Sequence, residues 1–322
     1  MSSARPSPLP ALRLAFMGSP ALALPSLAAL AAAPDIELVQ VVTLGDRRRG
    51  RRGAPVPTPV GGAALALGLP LLRWEKGNAA AVTAALAALE LDAIVVIAFA
   101  RLLSPELLAL PRLGCLNLHA SLLPWGRGAS PIQQAILDGL TESGWSAMLM
   151  DAGLDTGPVL AIQPLAVAPR WTAGALGAAL AARAPAFLLS VLRGWREGRL
   201  TARAQAETGA TLTRKLPRAA GALDWSQSAL SLDRRVRALS PAPGCWCRRG
   251  GERLGVLRAE PGEWRLHALP GEILTLKPQL LVACGEGALA LEEVQPPGGR
   301  AMPAAAYLSG RPLALGERLE NG

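Results

Sequence analysis

Residues Ala93–Ala98 read Ala-Ile-Val-Val-Ile-Ala, a continuous apolar run of the kind that forms a strand buried on both faces. Such strands belong to parallel sheets covered by helices, and the surrounding chain obeys that rule. Leu12–Met17 and Ile36–Thr43 are further strand candidates, separated by a Gly18-Ser19-Pro20 turn and an Ala/Leu-rich helical stretch. Leu69–Trp74 is a weaker candidate, because Pro70 confines it to a sheet edge or a strand start. Ala79–Leu91 and Ala129–Leu140 read as helices, Cys115–Leu118 and Trp145–Met150 as strands. Thr172–Arg196 reads as a long helix closing this domain, with Pro185 arguing for a kink or break inside it. The expected class is therefore α/β, built on a parallel sheet.

Past about Gly198 the pattern changes. Residues 198–216 are polar and read as a linker. Ser226–Leu239 reads as a helix, and short segments follow at Arg253–Arg258, Gly271–Leu276, Gln279–Cys284 and Ala288–Gln295, punctuated by Gly and Pro. That spacing suggests a small β-barrel. The tail Gly310–Gly322 is expected to be loosely attached. At 322 residues the chain is longer than one average domain, and 51% apolar residues suffice for two cores.

The net charge is +9, almost all of it arginine, since lysine occurs only at Lys76, Lys215 and Lys277. Basic residues outnumber acidic ones on both sides of residue 200. A field of that kind favours a polyanionic partner and speeds its encounter without identifying it. The four cysteines form no Cys-x-x-Cys pair and only two histidines exist, which argues against a zinc site and against a disulfide framework. Leu14–Ala33 is apolar but broken by Gly18, Pro20 and Pro25, so no uninterrupted apolar stretch of membrane length is apparent. A cytoplasmic protein without a membrane role is the expectation.

The chemistry concentrates in Gly114–Gly157. Asn117 and His119 lie two apart at a strand end, so their side chains share a face and point towards the crevice where open α/β sheets bind ligands. Asp155, in a Gly-Leu-Asp-Thr-Gly loop after the next strand, returns to the same edge. An amide, an imidazole and a carboxylate can thus converge. Taken alone, a histidine beside a strand end is more often merely hydrogen-bonded than reactive.

The ordered set of motifs says more. Asn117, His119, Ser121-Leu122-Leu123-Pro124, Arg127-Gly128, Pro131-Ile132 and Met150 to Gly157 follow one another as in the methionyl-tRNA formyltransferases, which this chain resembles over nearly its whole length. Met17-Gly18-Ser19-Pro20 upstream, and Arg214-Lys215-Leu216, Leu223-Asp224-Trp225-Ser226, Gln295-Pro296 and Arg300-Ala301-Met302 downstream, extend the likeness. The resemblance implies a Rossmann-like formyltransferase domain over residues 1–198, a linker over 199–217, and an OB-like β-barrel that contacts tRNA over 218–318. It implies 10-formyltetrahydrofolate as co-substrate, no metal, and initiator Met-tRNA as the acceptor, with the enzyme acting as a monomer.

By the same resemblance Asn117 and His119 supply hydrogen-bond donors to an oxyanion, and Asp155 orients or polarises His119. Ser121, Leu122, Leu123 and Pro124 belong to the folate pocket, together with the apolar strand end at Ile97–Leu103. Arg47, Arg51, Arg52 and Lys215 contact tRNA, with Arg51 in the place of the arginine that enters the acceptor end. Arginine suits that task because its planar fork binds phosphates and stacks on bases, although an isolated run such as Asp46–Gly53 would ordinarily be a solvated loop. Three departures stand out: Trp125-Gly126 for a basic or polar residue followed by an aromatic, Phe99-Ala100 for tyrosine-glycine, and Leu44-Gly45 for glutamine-proline. Two other readings stay open. A formyltransferase acting on a small amine would keep the same three polar residues, and a catalytically silent RNA-binding protein would keep the scaffold.

Overall fold

The computed structural model describes residues 10–48, 53–262, 264 and 267–322. The chain forms two compact units: residues 1–129, 144–165 and 178–212, and residues 130–143, 166–177 and 213–322.

The first unit is organised by a seven-stranded sheet. Its strands are β1 (Leu12–Gly18), β2 (Ile36–Leu44), β3 (Leu71–Trp74), β4 (Ala93–Ile97), β5 (Cys115–His119), β6 (Glu142–Leu149) and β7 (Val159–Ala166), in the spatial order β7-β6-β5-β4-β1-β2-β3. β3 to β5 pair in parallel through β2, β1 and β4, and β6 joins β5 antiparallel. All five residues of β4 are buried, as its apolar run demands. Period-two alternation sends Ile94 and Val96, with Ala15 and Met17 of β1, to a core shared with Val82 and Leu86 of the helix Ala79–Ala87. Leu14, Phe16, Val95 and Ile97 are equally buried on the other face. Each such side chain contributes roughly 1.5–3 kcal/mol by leaving water. Pro70 lies just before β3, and β3 is an edge strand, as expected.

Several features differ from the sequence-based expectations. β7 is an additional strand, and it carries Pro164; its position at the other sheet edge lets proline forgo a ladder hydrogen bond. The helix Ala173–Arg196 runs through Pro185 without a break. By length and composition this helix would also suit a membrane span, contrary to the expectation that no such stretch exists. Here Leu180, Ala184, Leu188, Val191 and Leu192 form a buried stripe, which is what a core helix presents.

In the second unit, β8 (Cys245–Arg249), β9 (Glu252–Gly262), β10 (Ile273–Thr275), β11 (Leu280–Ala283) and β12 (Ala288–Gln295) form an antiparallel half-barrel in the order β8-β9-β12-β11-β10, with β13 (Met302–Pro303) added to β12. The helix Ala229–Ala238 is capped by Ser228, whose hydroxyl accepts from the Ser231 amide, and Leu232 and Val236 bury into the barrel core with Trp225, Val256 and Val294. The segment 166–177 is tied to this unit by Arg170, which donates to the buried carboxylate of Asp233 at 2.6 Å and to the Ala259 carbonyl.

The tail is not loose. Glu320 pairs with Arg248 of β8 and Arg318 with Glu272 beside β10, so the C-terminal residues bridge the two edge strands. Leu319 between them is 1% exposed, and its burial explains why the tail is held.

Candidate active site

In the first unit a polar cluster forms at the carboxyl end of β5. In the β5–β6 ladder Asn117 stands opposite Met148 and His119 opposite Ser146, which places both polar side chains on one face of the sheet. Each is 7% exposed. Neither could stay there without partners, because an unpaired polar group in such surroundings is costly.

The third member arrives on the loop between β6 and β7. Asp151 folds this loop back on itself: its carboxylate accepts from the Gly153 amide at 3.0 Å and from the Thr156 hydroxyl at 2.8 Å. At Gly157 any Cβ would fall 1.9 Å from the Leu149 carbonyl oxygen, so only glycine fits. The outcome is a left-handed backbone at Asp155, with φ of +54°. That conformation costs a non-glycine residue roughly 1–2 kcal/mol and persists only where surrounding bonds impose it.

Asp155 is the hub. Its Oδ1 accepts from Asn117 Nδ2 at 3.2 Å, and its Oδ2 accepts from the Gly128 amide at 2.8 Å. The same Oδ2 lies 3.5 Å from His119 Nδ1. His119 Nε2 is 2.8 Å from the Gly126 carbonyl. A carbonyl only accepts, so Nε2 carries a proton; a neutral ring then turns a bare Nδ1 to Asp155, and the imidazolium turns an N–H. Asn117 has spent one of its two amide hydrogens on Asp155. Among the described residues nothing bonds the second.

The structure thus brings Asn117, His119 and Asp155 together, although 38 residues separate the outer two. Sequence reading alone does not reach the two backbone groups that complete the cluster, the Gly126 carbonyl and the Gly128 amide. The signal for them is present in the Arg127-Gly128 motif, but backbone partners leave no trace in residue type.

The other expected site residues divide. Ser121 is fully buried, and its hydroxyl donates to the Trp125 carbonyl at 2.7 Å. The Leu123 amide donates to Ser146 Oγ, and the Leu123–Pro124 peptide is cis. These bonds hold Ser121–Pro124 as a fixed turn beside His119. Leu122 is half-buried against it. Beyond β4, Ala98 and Ala100 have φ of +50° and +58°, while Phe99 between them is buried edge-on against Trp74. Arg47 lies in a two-residue strand paired with Pro55–Val56; Arg51 and Arg52 lie outside the described residues. Lys215 is an exposed residue of the second unit.

Among the described residues no group of three or more His, Cys, Asp or Glu side chains could hold a metal ion. The four cysteines are free and buried, and burial pushes the thiols of Cys115, Cys245, Cys247 and Cys284 up to about 12. They are poor nucleophiles at neutral pH.

The family model described as formyl transferase matches residues 13–192, and that of the formyl transferase C-terminal domain matches residues 215–312. The methionyl-tRNA formyltransferase of Parvibaculum lavamentivorans is 41% identical over 314 residues, covering 95% of this chain and 99% of its own. That of Thiobacillus denitrificans is 43% identical over 310 residues, 96% and 99% of the two chains. Among solved structures, HypX from Aquifex aeolicus in complex with tetrahydrofolic acid superimposes with a TM-score of 0.61 at 16% identity, over 92% of this chain and 47% of that one. An N-formyltransferase from Helicobacter canadensis, in complex with folinic acid and dTDP-3-aminofucose, gives 0.64 at 12% identity, over 87% and 98%.

Proposed function

The chain belongs to the methionyl-tRNA formyltransferase family, and from that membership we propose that it transfers the formyl group of 10-formyltetrahydrofolate to the α-amino group of methionine on initiator tRNA, for translation initiation. The observation that carries the chemical part is the meeting of an amide, an imidazole and a carboxylate at the carboxyl end of β5.

The reaction is an acyl transfer. The acceptor amine must be unprotonated to attack the formyl carbon, and a tetrahedral oxyanion forms as its C–N bond is made. The oxyanion then collapses, the bond from that carbon to folate nitrogen breaks, and the proton given up by the attacking amine is made good on that nitrogen. Asn117 is suited to the oxyanion, because its remaining N–H is held in direction by the bond from the same nitrogen to Asp155. The Nε2–H of His119 rests on the Gly126 carbonyl, and a developing oxyanion is a stronger acceptor for which that contact can be exchanged. Asp155 fixes Asn117 and faces the imidazole; it also serves proton removal from the incoming ammonium, directly or through water.

In this reading residues 1–198 carry formyl transfer, 199–217 connect, and 218–318 contact tRNA. Ser121–Pro124 lie along the folate, and Arg47, Arg51, Arg52 and Lys215 meet the tRNA backbone and acceptor end. The enzyme works as a cytoplasmic monomer and uses no metal.

The test is to offer the protein 10-formyltetrahydrofolate with either Met-tRNA or small amines such as glycinamide ribonucleotide and an amino sugar. Formylation of Met-tRNA is expected; transfer to small amines alone would select the rival acceptor, and no transfer to either would leave only the scaffold. Arg51→Ala is expected to weaken use of initiator tRNA and to spare folate binding, and unchanged tRNA kinetics would remove Arg51 from the interface.

A further inference from the structure

The polar stretch 199–217 does more than connect. Residues 203–211 lie within the first unit and bond to both loops that complete the catalytic cluster. Arg203 exchanges two backbone hydrogen bonds with Val159, at 2.8 and 2.9 Å, immediately after the Asp155 loop. Thr211 bonds to the other loop three times: its amide donates to the Pro124 carbonyl, its hydroxyl accepts from the Gly126 amide at 2.8 Å, and its carbonyl accepts from the Arg127 amide at 3.0 Å. Gly126 supplies the carbonyl that holds His119, and Gly128 the amide that holds Asp155.

Between these anchors sits Gln205. Its Nε2 donates to the carbonyls of Asp155 and Gly157, each at 2.8 Å. Its Oε1 accepts from Arg127 Nε at 3.0 Å, and Arg127 also reaches the Glu207 carboxylate. Carbonyls on one side and a guanidinium on the other leave a single orientation for this amide. The two carbonyls bracket the turn in which Asp155 takes its left-handed backbone. Gln205 thus joins the Asp155 loop to the Arg127–Gly128 loop from outside the cluster.

We propose that Gln205 is a positioning residue for formyl transfer, holding the left-handed turn at Asp155 so that its carboxylate stays in reach of Asn117, His119 and the Gly128 amide; the proposal rests on the role assigned above to Asp155. It touches neither substrate nor reacting atoms. Its effect therefore falls on turnover through geometry, and displacements of about 1 Å at such a site are worth on the order of 10²-fold in rate.

Two variants separate this role from a general structural one. Gln205→Leu removes every bond of the side chain. Gln205→Glu keeps an acceptor for Arg127 but offers no donor to the Asp155 and Gly157 carbonyls. Both variants are measured beside Asp155→Asn for kcat, for KM of folate donor and Met-tRNA, and for thermal midpoint. The expected result is a fall in kcat of about tenfold or more in both Gln205 variants, with each KM within about twofold and the thermal midpoint close to that of the parent protein. The inference is overturned if either variant keeps kcat within about twofold, if Gln205→Glu turns over normally while Gln205→Leu does not, or if the loss lies in KM alone. Normal turnover by Asp155→Asn would instead remove the reading on which the inference stands, whereas a crippled Asp155→Asn beside unimpaired Gln205 variants would remove the inference by itself.

Discussion

The same substitution, alanine to glycine, is expected to stabilise this protein at one exposed position and destabilise it at another. Ala100 has φ of +58° and is exposed, so its methyl sits in a left-handed conformation without visible packing in return. A side chain there costs roughly 1–2 kcal/mol, which glycine relieves. Against that gain, glycine enlarges the unfolded ensemble by about 0.4–1 kcal/mol. The net expectation for Ala100→Gly is a stabilisation of about 0.5–1 kcal/mol. Ala85 provides the control: it is also exposed, but it lies inside the helix Ala79–Ala87, where glycine costs about 1 kcal/mol relative to alanine. Equilibrium urea unfolding of the two variants beside the parent should therefore move the midpoint in opposite directions. A midpoint lowered by Ala100→Gly as it is by Ala85→Gly would refute the strain argument, and with it the view that glycine is the better residue at this turn.

The buried thiols should be inert: a disulfide-exchange reagent at neutral pH is expected to leave all four cysteines unmodified in the native protein and to titrate four after denaturation, whereas rapid native labelling would contradict their burial. Asp35 should contribute to acid sensitivity, because its hydrogen bonds from Arg193, at 2.7 and 2.8 Å, hold its carboxyl below the usual carboxylate range. A group lowered on folding stabilises above its unfolded pKa of about 3.9 and loses that contribution as pH falls through the folded value. Both partners are about a third or more exposed, so the contribution is below about 1 kcal/mol. Arg193→Ala should narrow the stability difference between pH 7 and pH 3 by that amount, and an unchanged difference would show the pair to be silent.

Sequence patterning reached the strands whose burial is two-sided. Ala93–Ile97 announces itself by composition, and the shared face of Asn117 and His119 follows from their spacing on a strand. Patterning weakened wherever neighbours rather than residue type decide the outcome. β7 contains Pro164 and alternates imperfectly, and it is a strand because β6 offers it an edge. Pro185 reads as a breaker in isolation, yet the buried stripe of the helix Ala173–Arg196 outweighs one lost hydrogen bond. The tail is polar and short, and only the two open edges of the half-barrel give it a place. For the site, the three side chains were legible, whereas Gly126, Gly128 and Gln205 act through backbone groups or upon them, and such partners have no sequence signature. The ordered motifs supplied the likeness to a family; distances alone show that Asp155 is the hub.

The most direct measurement is the single-turnover rate of formyl transfer to Met-tRNA at saturating folate donor, for the parent protein, His119→Ala and Asn117→Ala. Loss of the imidazole should slow the step by roughly 10²–10⁴-fold, and loss of the amide donor by roughly 10²–10³-fold, with both variants folded. Rates within a few-fold of the parent in either variant would mean that the polar cluster at the end of β5 is not where the formyl group changes hands.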